Sequence, residues 1–250
     1  MTHHILSIHA HPDDAEILAG GTLALLAQAG HRVTIVSMTP GDCGSMEYGP
    51  EEIAAIRRRE AAAAGALIGA AYECAEFRDL SIFNDDPSRR RVTELIRRQQ
   101  PTLILTSSPT DYHCDHEATS TLVRDACFAV SCPNYRCGEA APLPGIPHLY
   151  YMDSIEGRDR DGRPVQADFA VDIGPEFARK REMLAAHASQ REWLQRQHGM
   201  DDYLHSMEEW TRARGQSVAV RYAEGFRQYK HHPYPTTPLL QELVGDRLRR

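Results

Sequence analysis

The chain has no run of about 18 apolar residues, so no segment reads as a membrane-spanning helix. Its opening residues, M-T-H-H-I-L-S, lack the basic and then apolar regions of a secretory signal. Positive charge is in deficit, with 28 Lys and Arg against 35 Asp and Glu and a net charge of −7. Nucleic-acid binders advertise the opposite balance, which argues against that class of partner. The six cysteines are scattered. Cys127, Cys132 and Cys137 come nearest to one another, but without the C-x-x-C spacing of a structural zinc knuckle. They read as reduced thiols in a cytoplasmic protein. No internal repeat, low-complexity tract or linker divides the 250 residues, a length that can bury one large core.

What the chain does have is alternation. Residues 5–8, 32–38, 73–77 and 103–106 read as strands, the second rich in β-branched side chains. Helical stretches separate them, at about residues 21–29, 50–68 and 86–99. Asp86 is placed as the N-cap of the third, with Pro87 at its first helical position. A βαβαβαβα order implies a parallel sheet with helices on both faces. After Val130 the pattern changes to a proline-rich excursion over residues 133–147. Strands are then expected at 149–152 and 169–173, and helices at 175–198, 201–214 and 238–248. The expectation is one α/β domain over residues 1–250, with a core in 1–130 and elements from 148–250 completing it.

Two loops carry the chemistry. The first strand ends at Ile8 and opens into H-A-H-P-D-D-A-E, which packs His11, Asp13 and Asp14 into four residues. In open α/β sheets such a loop lies at the carboxyl end of its strand, where sites form. It is read as holding a divalent metal and a catalytic base. The second loop, S-P-T-D-Y-H-C-D-H-E-A from Ser108, places His113 and His116 around Asp115 directly after another buried strand. If those strands are neighbours, His116 joins His11 and Asp14. Two histidines and a carboxylate with an open position suit catalytic zinc or non-haem iron.

The run A-H-P-D-D-A-E at Ala10–Glu16, with G-G-T at Gly20–Thr22, resembles the signature of the LmbE/PIG-L family of metal-dependent de-N-acetylases. D-Y-H-C-D-H at Asp111–His116 is similar to that family's second motif. T-P-G-D-C-G-S from Thr39, R-x-x-E-A at Arg57–Ala61 and A-H-A-S-Q at Ala186–Gln190 fit more loosely. The resemblance implies a Rossmann-like fold, a Zn2+ site and hydrolysis of an N-acetyl group from a small-molecule amino sugar. It implies His11, Asp14 and His116 as metal ligands and Asp13 as general base. It also implies a protonated His113, oriented by Asp115, as oxyanion stabiliser. Arg57 and His187 are the implied substrate contacts. Fe2+, Co2+ or Mn2+ also suit this ligand set. Cys114 stands where proline is more usual in the family.

Other residues have plainer readings. Glu16 is either a partner behind the ligands or a carboxylate favoured in a first helical turn. His9 is expected to satisfy a local hydrogen bond, and His198, His205, His231 and His232 to lie on the surface. The arginine runs at 57–59 and 89–91 read as solvated helix faces. The helical, partly apolar last third is a candidate homo-oligomer interface. Two other readings stay open beside N-deacetylation. One is hydrolysis of another amide, such as a thiol-sugar conjugate, and the other a non-catalytic metal- or nucleotide-binding module. Against the nucleotide reading, His11-Pro12-Asp13-Asp14 stands where G-x-G-x-x-G is needed, and two carboxylates repel phosphate.

Overall fold

The computed structural model describes residues 1–198 and 203–250. Strand β1 (His4–His9) is buried along its whole length, which is why its sequence shows no polar alternation. Its side chains alternate between two apolar clusters, Ile5 entering one and Leu6 and Ile8 the other. Helix α1 (Asp14–Gln28), β2 (Arg32–Ser37), α2 (Pro50–Ala66), β3 (Ala71–Cys74), α3 (Asp86–Gln99), β4 (Leu103–Thr106) and α4 (Cys114–Ala129) follow in the expected alternation. Then come β5 (His148–Met152), β6 (Phe169–Asp172), α5 (Phe177–Ala185), α6 (Ala188–His198), α7 (Tyr203–Ser217), β7 (Ala223–Gln228), α8 (Leu239–Val244) and β8 (Leu248–Arg249).

All eight strands form one sheet in the order β3-β2-β1-β4-β5-β7-β6-β8. The first five pair in parallel, while β6, β7 and β8 are antiparallel. The fold is a single α/β domain with a mostly parallel sheet flanked by helices. Strand β1 lies between β2 and β4, so the winding reverses there and the loops after β1 and β4 open onto one crevice. This topology brings the two motif loops together. Among the described residues, no helix is long and apolar enough to cross a membrane.

Four departures from the sequence reading have physical causes. Helix α1 begins at Asp14 rather than near Gly21, because Gly20 and Gly21 sit inside it. A Cβ on Gly21 would come within 2.6 Å of Ile173, so the glycine lets the helix approach β6 closely. Strand β7, which the sequence reading left unassigned, inserts between β5 and β6. The expected helix over 175–198 is broken at Ala186 and His187 into α5 and α6. The N-cap of α3 is Asp85, whose side chain accepts the Ser88 N–H at 2.9 Å, rather than Asp86. Asp201, taken as a helix start, and the His198 side chain lie outside the described residues. His205, His231 and His232 are exposed as expected.

Candidate active site

His11, Asp14 and His116 converge over the crevice. His11 Nδ1 lies 3.3 Å from His116 Nε2 and 3.7 Å from Asp14 Oδ2, and His116 Nε2 lies 3.3 Å from Asp14 Oδ1. Donor atoms bound about 2.0–2.1 Å from a tetrahedral zinc are about 3.3 Å apart, and each pairwise separation here is close to that, the two to Asp14 being made by different carboxylate oxygens; His11, His113 and His116 also bring one donor atom each within 4.8 Å of one another. Asp14 Oδ2 also accepts the His11 N–H at 2.9 Å, which fixes the carboxylate and leaves Oδ1 available.

Each of these two histidines is backed by a carboxylate. His116 Nδ1 faces Asp111 Oδ1 at 3.0 Å, and His11 Nε2 faces Asp115 Oδ2 at 3.3 Å. Such pairs fix the tautomer that offers the other nitrogen to a metal. Asp111 is itself held by the N–H groups of Ile155 at 2.9 Å and His113 at 3.2 Å. The electrostatics match. Burial disfavours a charged His11, yet hydrogen bonds to Asp115 and Asp14 outweigh it and raise His11 to about 9. Burial works in the same sense on His116, and the Asp14 and Asp111 carboxylates again prevail, raising it well above the usual range. Burial favours a neutral Asp14, but His116 and His11 hold it well below the ordinary carboxylate range. A pocket that draws protons onto both histidines this strongly is built to stabilise positive charge. The residues present therefore fit a divalent cation.

Asp13 stands beside the triangle in a left-handed backbone conformation, with φ 111°, as the N-cap of α1. Its Oδ2 accepts the Tyr203 hydroxyl at 2.6 Å and faces the Arg57 guanidinium at 3.5 Å. Burial raises the Asp13 carboxyl, Asp14 adds to this, and Arg57 opposes it. Arg57 is only 4 % exposed and donates to the Pro12 carbonyl at 2.7 Å. It braces the Asp13 turn from below. Gly41, at φ 76°, passes so close that a Cβ there would overlap the guanidinium.

The remaining site residues correct the sequence reading. The Asp115 side chain does not orient His113, because its Oδ2 serves His11 and the Leu80 N–H. The backbone N–H of Asp115 instead donates to His113 Nδ1 at 3.2 Å, so a neutral His113 carries its proton on Nε2. Burial, with His11 and His116 nearby, lowers His113, and the upward pull of Asp115 is too small to prevail. His187 is buried behind the site, with Nε2 3.6 Å from Glu16 Oε1, and does not line the cleft. That contact makes Glu16 an inward-facing partner rather than a solvated first-turn carboxylate. His9 bonds Ser7 Oγ at 2.5 Å, a local contact as expected. Cys114 is exposed, its sulfur 3.9 Å from Asp115 Oδ1.

The cleft above these groups has a volume of about 940 Å³. Both tryptophans of the chain, Trp193 and Trp210, line it together with Tyr112 and Tyr203. Aromatic faces of this kind suit the apolar face of a sugar ring as well as other flat ligands. Three non-glycine residues with positive φ, namely Asp13, Leu80 and Glu156, also line it. Strained backbone of this kind gathers at functional sites. Asp111 and Tyr203 escaped the sequence reading. Asp111 stood within the quoted motif, whereas Tyr203 reaches Asp13 from 190 residues away.

Sheet topology and donor set together define a class: α/β enzymes with a candidate divalent-cation centre where the winding reverses. Residues 6–127, just under half of the chain, match the family described as PIG-L, GlcNAc-PI de-N-acetylase, so this stretch carries an LmbE-like domain. It is 28 % identical over 193 residues to a 4-oxalmesaconate hydratase of Pseudomonas putida, a match covering 74 % of this chain and 73 % of the relative. A probable N-acetyl-α-D-glucosaminyl L-malate deacetylase of Bacillus anthracis is 26 % identical, over 75 % of this chain and 81 % of its own. Among solved structures, the N,N'-diacetylchitobiose deacetylase of Pyrococcus horikoshii superposes with a TM-score of 0.77 at 25 % identity. That match covers 94 % of this chain and 88 % of the other.

Proposed function

We propose that the protein is a zinc-dependent hydrolase that removes the N-acetyl group from a GlcNAc-containing small molecule or glycoconjugate. The observation that carries this reading is the His11–Asp14–His116 triangle with the Asp13 carboxylate beside it. A cation held there supplies Lewis acidity toward the acetamide carbonyl and makes water acidic enough to attack near neutral pH. The protein's own groups do the rest. Asp13, kept in place by Tyr203 and Arg57 through Oδ2, takes the proton of the attacking water and returns it to the departing amine. Burial raises the Asp13 carboxyl toward neutrality, where such a base works in both directions. Neutral His113 offers its Nε2–H to the oxygen that becomes negative in the transition state, worth about 3–4 kcal/mol for one well-placed donor. The aromatic walls hold the sugar and exclude water.

A second reading is favoured by one finding, the Pseudomonas hydratase, whose match covers about three quarters of each chain. The same base and cation would then add water across the double bond of an unsaturated acid. One experiment separates the two readings. Amine release is followed on N-acetylglucosaminides of malate, inositol, phosphatidylinositol and chitobiose, beside loss of ultraviolet absorbance from conjugated dicarboxylic and tricarboxylic acids. Amine release that stops with chelator and returns with zinc supports deacetylation. Absorbance loss without amine release supports hydration, and activity indifferent to chelation refutes both.

A further inference from the structure

Glu60 in R-x-x-E-A and Ser189 in A-H-A-S-Q take no part in the chemistry above, yet they meet from 129 residues apart. Glu60 Oε1 accepts the Ser189 N–H at 2.9 Å, and Oε2 accepts the Ser189 hydroxyl at 2.6 Å. Ser189 is the second residue of α6, so its N–H is one of the first-turn donors that no carbonyl of the helix can reach. Glu60 therefore caps α6 from a neighbouring helix, and its charge suits the positive end of the α6 dipole. Because α5 ends at Ala185, α6 is not carried into place as a continuation of it. The contact with α2 seats it instead.

What α6 presents is a wall of the cleft. Gln190, Trp193 and Leu194, next along the helix, line it, whereas Glu60 does not. Arg57 lies one turn before Glu60 on α2 and donates to the Pro12 carbonyl beside Asp13. One helix thus grips the turn of the base at one point and the wall at the next. The loop after β2 is pinched between the two. A Cβ on Gly44 would come within 2.7 Å of Arg57 Nη1 and 3.2 Å of Gln190 Oε1. We propose that Glu60 is a positioning residue that holds the α6 wall at its working distance from Asp13 and so sets substrate affinity without touching substrate, an inference that rests on this cleft being the substrate site. Without the cap, α6 samples displaced positions, and substrate binds only the fraction still docked. Affinity falls, while the metal triangle and Asp13 keep their geometry on the loops after β1 and β4.

The test follows initial rates with whichever of the glucosaminides or unsaturated acids turns over, together with zinc content. The wall is read separately, by acrylamide quenching in a Trp210→Phe background where Trp193 is the sole tryptophan. Glu60→Ala should raise KM about three- to tenfold, the scale of a lost helix cap, with kcat and bound zinc within about twofold of wild type. Quenching of Trp193 should rise with it. Ser189→Ala keeps the N–H bond and should give a smaller shift of the same kind, and the double variant should be no worse than Glu60→Ala. Glu60→Gln, which can still accept that N–H, should restore most of the affinity. Unchanged KM in Glu60→Ala, even with a lowered Tm, overturns the proposal, as does a loss confined to kcat or zinc or a double variant whose effects add. Should Glu60→Ala fail to fold, Ser189→Ala decides, and no movement of KM or quenching there overturns it. Turnover of none of the compounds would count against the functional reading instead, and unchanged Trp193 quenching would then overturn the positioning role by itself.

Discussion

Replacing Lys180 with methionine isolates one buried charge and gives a calculable penalty. Lys180 is 1 % exposed, and its ammonium donates to Glu224 Oε1 at 2.6 Å. Glu224 on β7 also accepts the N–H groups of Gly21 at 2.9 Å and Thr22 at 2.7 Å, from the middle of α1. Methionine fills the space of the lysine stem but leaves the carboxylate without its counter-ion. Breaking one side of a buried pair costs about 3–5 kcal/mol. A carboxylate can escape that cost by taking up a proton, which at pH 7 requires about 3.7 kcal/mol from an ordinary glutamate. The expected loss is therefore roughly 3–4 kcal/mol at pH 7, shrinking by about 1.4 kcal/mol per unit of acidification. For a chain of this size that is a fall of about 6–16 °C in Tm at pH 7. Urea unfolding at pH 7 and pH 5.5 measures both terms. Adding Glu224→Gln to Lys180→Met should recover most of the loss, since the charge that needed a partner is gone. A penalty below about 1 kcal/mol, one independent of pH, or a double variant no better than the single would refute the reasoning.

Other expectations follow from the site. Asp13→Asn should lower kcat by about 10²–10⁴-fold with bound metal unchanged by elemental analysis, and near-normal turnover would remove Asp13 from its role as base. Tyr203→Phe keeps the ring but deletes the hydroxyl on Asp13, so kcat should fall about 10–150-fold at unchanged metal content, the worth of one hydrogen bond of about 1.5–3 kcal/mol to a charged group. An effect confined to KM would instead make Tyr203 a substrate contact. Asp111→Asn should weaken metal affinity by about 10–100-fold, with activity returning at high zinc; a loss that excess zinc does not rescue would contradict that placement. Burial, with Arg32 beside it, lowers His4. The unfolded chain therefore takes this proton first, and the contribution is whole above about pH 6.5 and lost as acidification proceeds below it. His4→Gln should narrow the gap between urea midpoints at pH 7.5 and 5.5, and an undiminished gap would contradict the assignment.

The site was legible where chemistry was dense in sequence. His11, Asp13 and Asp14 crowd one turn, and the β-α alternation placed both motif loops after buried strands; the adjacency of β1 and β4, open in the sequence, is supplied by the sheet. What escaped was set by packing between distant segments. Strand β7 reads A-E-G-F-R-Q, and its alternation is disguised because Glu224 points inward to Lys180 and α1, where a strand ordinarily shows an apolar residue. The same contact hid the start of α1, since the Gly20-Gly21 pair looks like a loop unless one knows that Ile173 and Glu224 press against it. Asp115 was placed at the right site but given the wrong neighbour. Its carboxylate turns to His11 from the next loop, while its amide serves His113, and spacing along the chain does not distinguish the two.

The insertion of β7 between β5 and β6 also bears on how the protein is made. Strand β5 is complete at Met152, yet the strand that covers its outer edge ends only at Gln228. While the chain emerges from the ribosome, both motif loops have been synthesised but that edge stays bare, a row of open N–H and C=O groups apt to pair with the wrong chain. Shortening the protein between His116 and β7 would make this exposure permanent, so fragments that keep His11, Asp14 and His116 should still precipitate.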